Sequence, residues 1–100
     1  MTARIIATAV TPAGRTVALT DRVWAHVVAE HAEMRGQLDA VLTALKAPDH
    51  YEVDLFPGRE RYFKRGVGPD RWLRVVVQFC NDHAAVVTAF GQRNPPGTTR

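Results

Sequence analysis

Two histidines stand five residues apart in the stretch RVWAHVVAEHAEM, Arg22 to Met34. An imidazole can ligate a metal, move protons near neutral pH, or simply pack. In an unbroken helix, His26 and His31 lie about 140° apart around the axis and share no face. That spacing argues against a two-histidine metal site of the i, i+4 kind, so no metal is expected. His31 falls in line with Trp24, Val27 and Val28, the spacing of a buried stripe, and packing competes with chemistry there. His26 sits beside the acidic side of the helix, where exposure is expected. A second group of polar candidates, Arg61, Tyr62, Lys64, Arg74, Gln78 and Thr88, is spread over runs that alternate as strands do. Cations with a phenol and a hydroxyl on one sheet surface suit a phosphodiester, because Lys and Arg meet phosphate oxygens with charge-assisted hydrogen bonds. An ordinary solvated sheet face carries the same residue types, so composition does not decide between them.

The elements that must position these groups are readable from period and punctuation. Arg4 to Val10 is β-like, and TPAG, Thr11 to Gly14, supplies a turn before RTVALT, which leaves a choice between an N-terminal hairpin and a loose arm. Thr20 is a good N-cap and Asp21 suits the first turn of a helix. A break near Arg35 and Gly36 leads to a second amphipathic helix, with Leu38, Val41, Leu42 and Leu45 on one face and Pro48 as its stop. The period then changes from 3.6 to 2. His50–Phe56, Glu60–Arg65, Arg71–Cys80 and Ala84–Phe90 read as strands joined by short connections rich in Gly, Pro, Asn and Asp. Parallel pairing would need long crossovers, which these connections do not offer. The expectation is an α+β domain: two N-terminal helices packed on one face of a four-stranded antiparallel meander.

Alternation then assigns faces. Leu73, Val75, Val77 and Phe79 form the core face of the third strand, with Trp72, Arg74, Val76 and Gln78 opposite. Phe63 is expected to join the core, turning Tyr62 and Lys64 outward, with Arg61 and Arg65 flanking Phe63. Val87 and Ala89 are expected inward, and Val86, Thr88 and Phe90 outward. Tyr62, Lys64, Arg74, Gln78 and Thr88 would then share one partly solvated surface, on which Val76, Val86 and Phe90 could instead serve a protein interface.

Bulk properties bound the rest. One hundred residues, 46% hydrophobic, suffice for one modest core and a single domain. The start, MTARIIATAV, is neither a secretory signal nor a membrane span, and a cytoplasmic protein with no membrane partner is expected. Cys80 has no second cysteine to pair with and reads as a half-buried small residue. The net charge of +3 permits an anionic partner without demanding one. Asn94–Arg100 reads as an extended end.

Several short motifs, taken in order, resemble one group of proteins. Trp24 and His26 fall on the first helix, His31-Ala32-Glu33 follow, and Pro48-Asp49 end the second helix. Tyr62-Phe63-Lys64 mark a basic strand, a hydrophobic strand follows, and Thr88-Ala89-Phe90 close the pattern. Over about residues 19–91 the chain resembles the small phage-associated nuclease families of the barnase–EndoU–colicin–RelE-like (BECR) superfamily. Ala32 stands where those families have Pro, and Phe63 where they have a second Tyr; without the proline, the first helix is free to run on past His31. The resemblance implies a metal-independent endoribonuclease of toxin or effector type, needing no cofactor. An RNA 2′-OH would attack the adjacent phosphorus and leave a 2′,3′-cyclic phosphate and a free 5′-OH. His26 and His31 would supply base and acid in an order left open, Lys64 would stabilise the phosphorane charge, and Thr88 would donate to a phosphate oxygen. Arg61, Tyr62, Arg74 and Gln78 would bind the RNA, Tyr62 by stacking on a base or by assisting proton transfer. RNA and a cognate antitoxin or immunity protein are the implied partners. The competing expectation is a non-catalytic RNA- or protein-binding module of the same fold, which the missing proline and the lack of an obvious sheet Glu base would fit.

Overall fold

The computed structural model describes residues 3–96. Its elements are β1 (Ile5–Val10), β2 (Thr16–Thr20), α1 (Asp21–Glu30), a 3₁₀ turn (Ala32–Met34), α2 (Leu38–Lys46), β3 (His50–Val53), β4 (Arg59–Arg65), β5 (Trp72–Cys80) and β6 (His83–Gln92). All six strands belong to one sheet, in the order β1-β2-β6-β5-β4-β3. The expected four-stranded antiparallel meander is therefore overturned in two respects. The N-terminal segment is a hairpin built into the sheet, and the sheet is mixed, because β2 runs parallel to β6 at Ala18 and Ala85. The long crossover that a parallel pair requires does exist. It is everything between β2 and β6, both helices and three strands included, and a reading of neighbouring connections alone overlooks it.

Thr20 ends β2 and caps α1, its hydroxyl accepting from the Val23 amide at 3.2 Å, with Asp21 at the positive end of the helix dipole. The helix stops at Glu30 without a proline at position 32. His31 takes an extended conformation, φ −131° and ψ 81°, and its carbonyl accepts from the Met34 amide at 2.8 Å to start the 3₁₀ turn. Met34, fully buried, anchors that turn in the core. On α2 the buried face is Ala40, Val41, Ala44 and Leu45, with Leu38 and Leu42 half-buried beside it.

Helix α1 lies against β6 and β2, whereas α2 touches β1 near one edge of the sheet and both β4 and β5 toward the other. The sheet therefore curls around α2. Its inner face holds Val17, Leu19, Leu73, Val75 and Val77, which meet Val27, Met34, Val41 and Leu45; none of these is more than 1% exposed. Burial of that many aliphatic side chains, each worth about 1.5–3 kcal/mol, is the main stabilising term.

Register decides which strand residues face that core. Tyr62 pairs with Val75 and Lys64 with Leu73, so Tyr62 and Lys64 point to the helix side, the reverse of the expectation. Phe63 pairs with Arg74 on the outer side, together with Arg59, Arg61 and Arg65. The expectation rested on one apolar residue, and parity would then have turned three arginines into the core, at a desolvation cost no phenylalanine repays. A bulge makes a second correction: Val76 pairs with Thr88 and Val77 with Val86, leaving Val87 unpaired. Val86, not Val87, faces the core, while Ala89 points inward and Thr88 and Phe90 outward as expected. Cys80 is exposed rather than half-buried. The last four residues of the anticipated C-terminal end lie outside the described residues.

Leu19→Ala tests whether the N-terminal hairpin is part of the core. Removing this fully buried side chain is expected to cost about 2–5 kcal/mol in urea unfolding. A cost near zero would make the hairpin an appendage.

Candidate functional site

The outer face of β4, β5 and β6 carries the candidate site. Arg74 is its centre. Its guanidinium carbon lies 5.2 Å from the Phe63 ring centroid and 5.4 Å from that of Phe90, residues on the neighbouring strands β4 and β6. Each ring continues the row outward: His31 stacks on Phe90 at 5.1 Å with planes 27° apart, and His50 tilts against Phe63 at 5.6 Å. The row His31, Phe90, Arg74, Phe63, His50 thus crosses the sheet from the end of α1 to β3. Covered by its neighbours in this row, Phe63 is fully buried although it faces away from the helices.

Cation–π attraction places Arg74 but satisfies none of its donors. Its Nε is buried and has no hydrogen-bond partner among the described residues. Burial, then repulsion from Arg61, holds the pKa of Arg74 below the usual guanidinium range, while Glu52 and Asp54 pull it back up. The group remains a cation at any physiological pH.

Arg61, one of three further arginines of β4 on this face, is already engaged. Arg61 donates from its η-nitrogen to Glu52 at 2.6 Å and from Nε to Asp54 at 2.5 Å. Hydrogen bonding from Arg61 keeps the Asp54 carboxyl below the ordinary carboxylate range, opposed by burial. Gln78 is also committed. Its amide oxygen accepts from Arg59 at 2.9 Å and its nitrogen donates to the Pro57 carbonyl at 3.4 Å. Gly58, at φ +79°, lets the β3–β4 turn come this close, since a Cβ there would lie 2.6 Å from the Gln78 amide nitrogen.

The anticipated catalytic set is not gathered on one surface. His26 is 63% exposed on α1 and pairs with Glu30 at 3.4 Å. Lys64 lies on the helix side and pairs with Asp49 at 3.4 Å. Tyr62 is buried on the helix side, donating to Glu60 at 3.0 Å. His31 and Arg74 both reach the Phe90 ring, and Thr88 shares its strand face. Thr88 sits two residues before Phe90 on the same face of β6, paired with Val76, and its hydroxyl makes no hydrogen bond among the described residues. Nδ1 of His31 faces Glu33 at 3.9 Å, which leaves Nε2 without a partner among the described residues. The sequence reading missed the roles of Phe63, Phe90 and His50. The parity shared by Arg59, Arg61, Phe63 and Arg65 was the available signal.

No group of three or more His, Cys, Asp or Glu side chains capable of holding a metal occurs among the described residues. No helix among them is long and apolar enough to cross a membrane. No family model, curated protein or solved structure matches the chain.

The Arg61 clamp has a pH consequence. Because the folded-state pKa of Asp54 is depressed below the ordinary 3.8 of an Asp carboxyl, the stability it adds is present above that value and lost as the pH falls through the lower, folded one. Thermal unfolding followed from pH 6 to 2 is expected to show a shallower acid slope for Asp54→Asn than for the parent below pH 4. Identical slopes would remove Asp54 from the clamp.

Proposed function

We propose that the outer face binds RNA and cleaves it as a metal-independent endoribonuclease of toxin or effector type, with Arg74 at the scissile phosphate and His31 as the proton acceptor. The observation that carries this reading is Arg74 itself: a cation fixed between two rings, with no hydrogen bond among the described residues, one of those rings stacked in turn on the His31 imidazole. A phosphate oxygen is the acceptor for which such a guanidinium is preorganised. His31 would take the 2′-OH proton as that oxygen attacks phosphorus, and the 5′-oxygen would leave with a 2′,3′-cyclic phosphate behind it. Thr88, on the same face of β6 as Phe90, would donate to the same phosphate. His26 and Lys64, expected as partners in this chemistry, are not part of the proposed site, because their ion pairs lie elsewhere.

A second reading has an observation of its own. β6 and β3 are three strand spacings apart, about 14 Å, so His31 and His50 stand at opposite ends of the row and cannot serve one phosphate as base and acid. A face with one imidazole in reach of its phosphate site is also what a non-catalytic RNA-binding module would present.

Cleavage of a labelled RNA in EDTA, with products analysed for 2′,3′-cyclic ends, separates the two. His31→Ala is expected to lose at least ~10²-fold in rate while keeping RNA affinity. Arg74→Ala is expected to lose a comparable factor in rate and to weaken binding as well. His26→Ala and Lys64→Ala should stay near the parent rate. Binding without cleavage by the parent supports the module, and dependence of cleavage on a divalent ion would sink the metal-free mechanism.

A further inference from the structure

The curl of the sheet brings the β1–β2 turn over the β3–β4 pair on the helix side, and between them lies a cavity of about 330 Å³. Its size is at the lower end of the roughly 300–1,000 Å³ usual for small-molecule sites. Thr11, Pro12 and Arg15 come from the turn, Pro48 from the exit of α2, and Tyr51, Glu60 and Tyr62 from β3 and β4. We propose that this cavity binds a small zwitterion of the α-amino-acid class, its ammonium on Glu60 and its carboxylate on Arg15.

Three observations carry the assignment. First, Glu60 and Arg15 both line the cavity, and neither has an ion-pair partner among the described residues. Glu60 accepts from the Tyr62 hydroxyl at 3.0 Å and is hydrogen-bonded by Tyr51 as well, and the Arg15 guanidinium lies 4.0 Å over the Phe79 ring. Two opposite charges without ion partners, Arg15 exposed at the rim and Glu60 half-buried on the facing wall, suit a ligand carrying both signs. Second, the Tyr51 and Tyr62 rings sit 5.4 Å apart and tilted by 55°, giving the Glu60 side aromatic walls, which attract an ammonium further. Burial, then hydrogen bonding to Glu60, pushes both phenols up, so they stay neutral and donate toward the carboxylate. Third, the turn that carries Arg15 is braced. Thr11 donates its amide to the Arg15 carbonyl at 2.9 Å, accepts the Gly14 amide at 2.8 Å, and is itself buried. Pro12, Pro48 and Ala13 leave the rest of the wall apolar, which favours an aliphatic or aromatic side chain on the ligand. The site lies on the opposite side of the sheet from Arg74 and does not depend on the RNA reading.

Titration of ¹⁵N-labelled protein with free leucine and free phenylalanine tests it, alongside N-acetylleucine and leucine methyl ester, which each lack one charge. Saturable shifts confined to the Thr11–Arg15 turn and to Tyr51, Glu60 and Tyr62 are expected with the free amino acids. The acetylated and esterified forms should bind at least tenfold more weakly, as should Glu60→Gln and Arg15→Gln with leucine. Glutamine at position 60 still accepts from Tyr62, so the fold is retained, and the charge-deleted ligands decide the matter on the parent protein alone. Absence of saturable shifts with both amino acids, or equal binding of leucine and N-acetylleucine, would overturn the proposal.

Discussion

The pairing of Tyr62 with Val75 is the contact on which the arrangement of charge depends. Strand side chains alternate, so fixing one pair fixes the side of every residue in β4, and a slip of one position would exchange the two faces. In the observed register Arg59, Arg61 and Arg65 reach the outer surface, while Tyr62 enters the core with its hydroxyl on Glu60. The same alternation in β5 puts Leu73, Val75 and Val77 inward and Arg74 outward, opposite Phe63. Hydrophobic burial on one side and desolvation cost on the other choose the same register, the agreement of levels expected of a sequence that specifies one structure.

From that register follows a division of the molecule's polar chemistry. Outside, cations meet aromatic faces: Arg74 between Phe63 and Phe90, Arg59 over Phe56, Arg65 near Trp72. Arg61, on the same face, is held instead by two carboxylates, Glu52 and Asp54. Inside the curl, phenols and a carboxylate line a cavity. Rings position a guanidinium without using its N–H groups, whereas a carboxylate consumes them. The two kinds of partner therefore leave Arg74 and Arg61 with different capacities for a ligand, although both stand on one face of adjacent strands.

Local signals in the sequence carried the elements well and the faces poorly. Thr20 marked the start of α1, Pro48 and the shift to period 2 marked the end of the helical half, and the core side of β5 followed from four apolar residues at alternate positions. The side assigned to Tyr62, Phe63 and Lys64 failed because β4 has large side chains of both parities, so apolarity alone could not rank them. Counting the cost of turning Arg61 and Arg65 inward would have. Val86 and Val87 failed for a different reason. A bulge is set by pairing with another strand, and nothing in one strand's alternation reveals it. The parallel β2–β6 contact is longer-range still, joining residues from opposite ends of the chain.

A site with one imidazole divides the work of RNA cleavage unevenly. In-line attack places the entering 2′-oxygen and the departing 5′-oxygen on opposite sides of phosphorus, so a histidine beside one is remote from the other. Under the proposed cleavage, His31 takes the 2′-proton and solvent returns one to the 5′-oxygen. The negative charge that builds meanwhile must be met by fixed cations. Arg74 can meet it without first breaking an ion pair, because its neighbours are rings rather than carboxylates. Lys64 would have to give up Asp49, and Arg61 both Glu52 and Asp54. Under that proposal the unpaired guanidinium, more than the histidines that first draw the eye in the sequence, would hold the phosphodiester to this face.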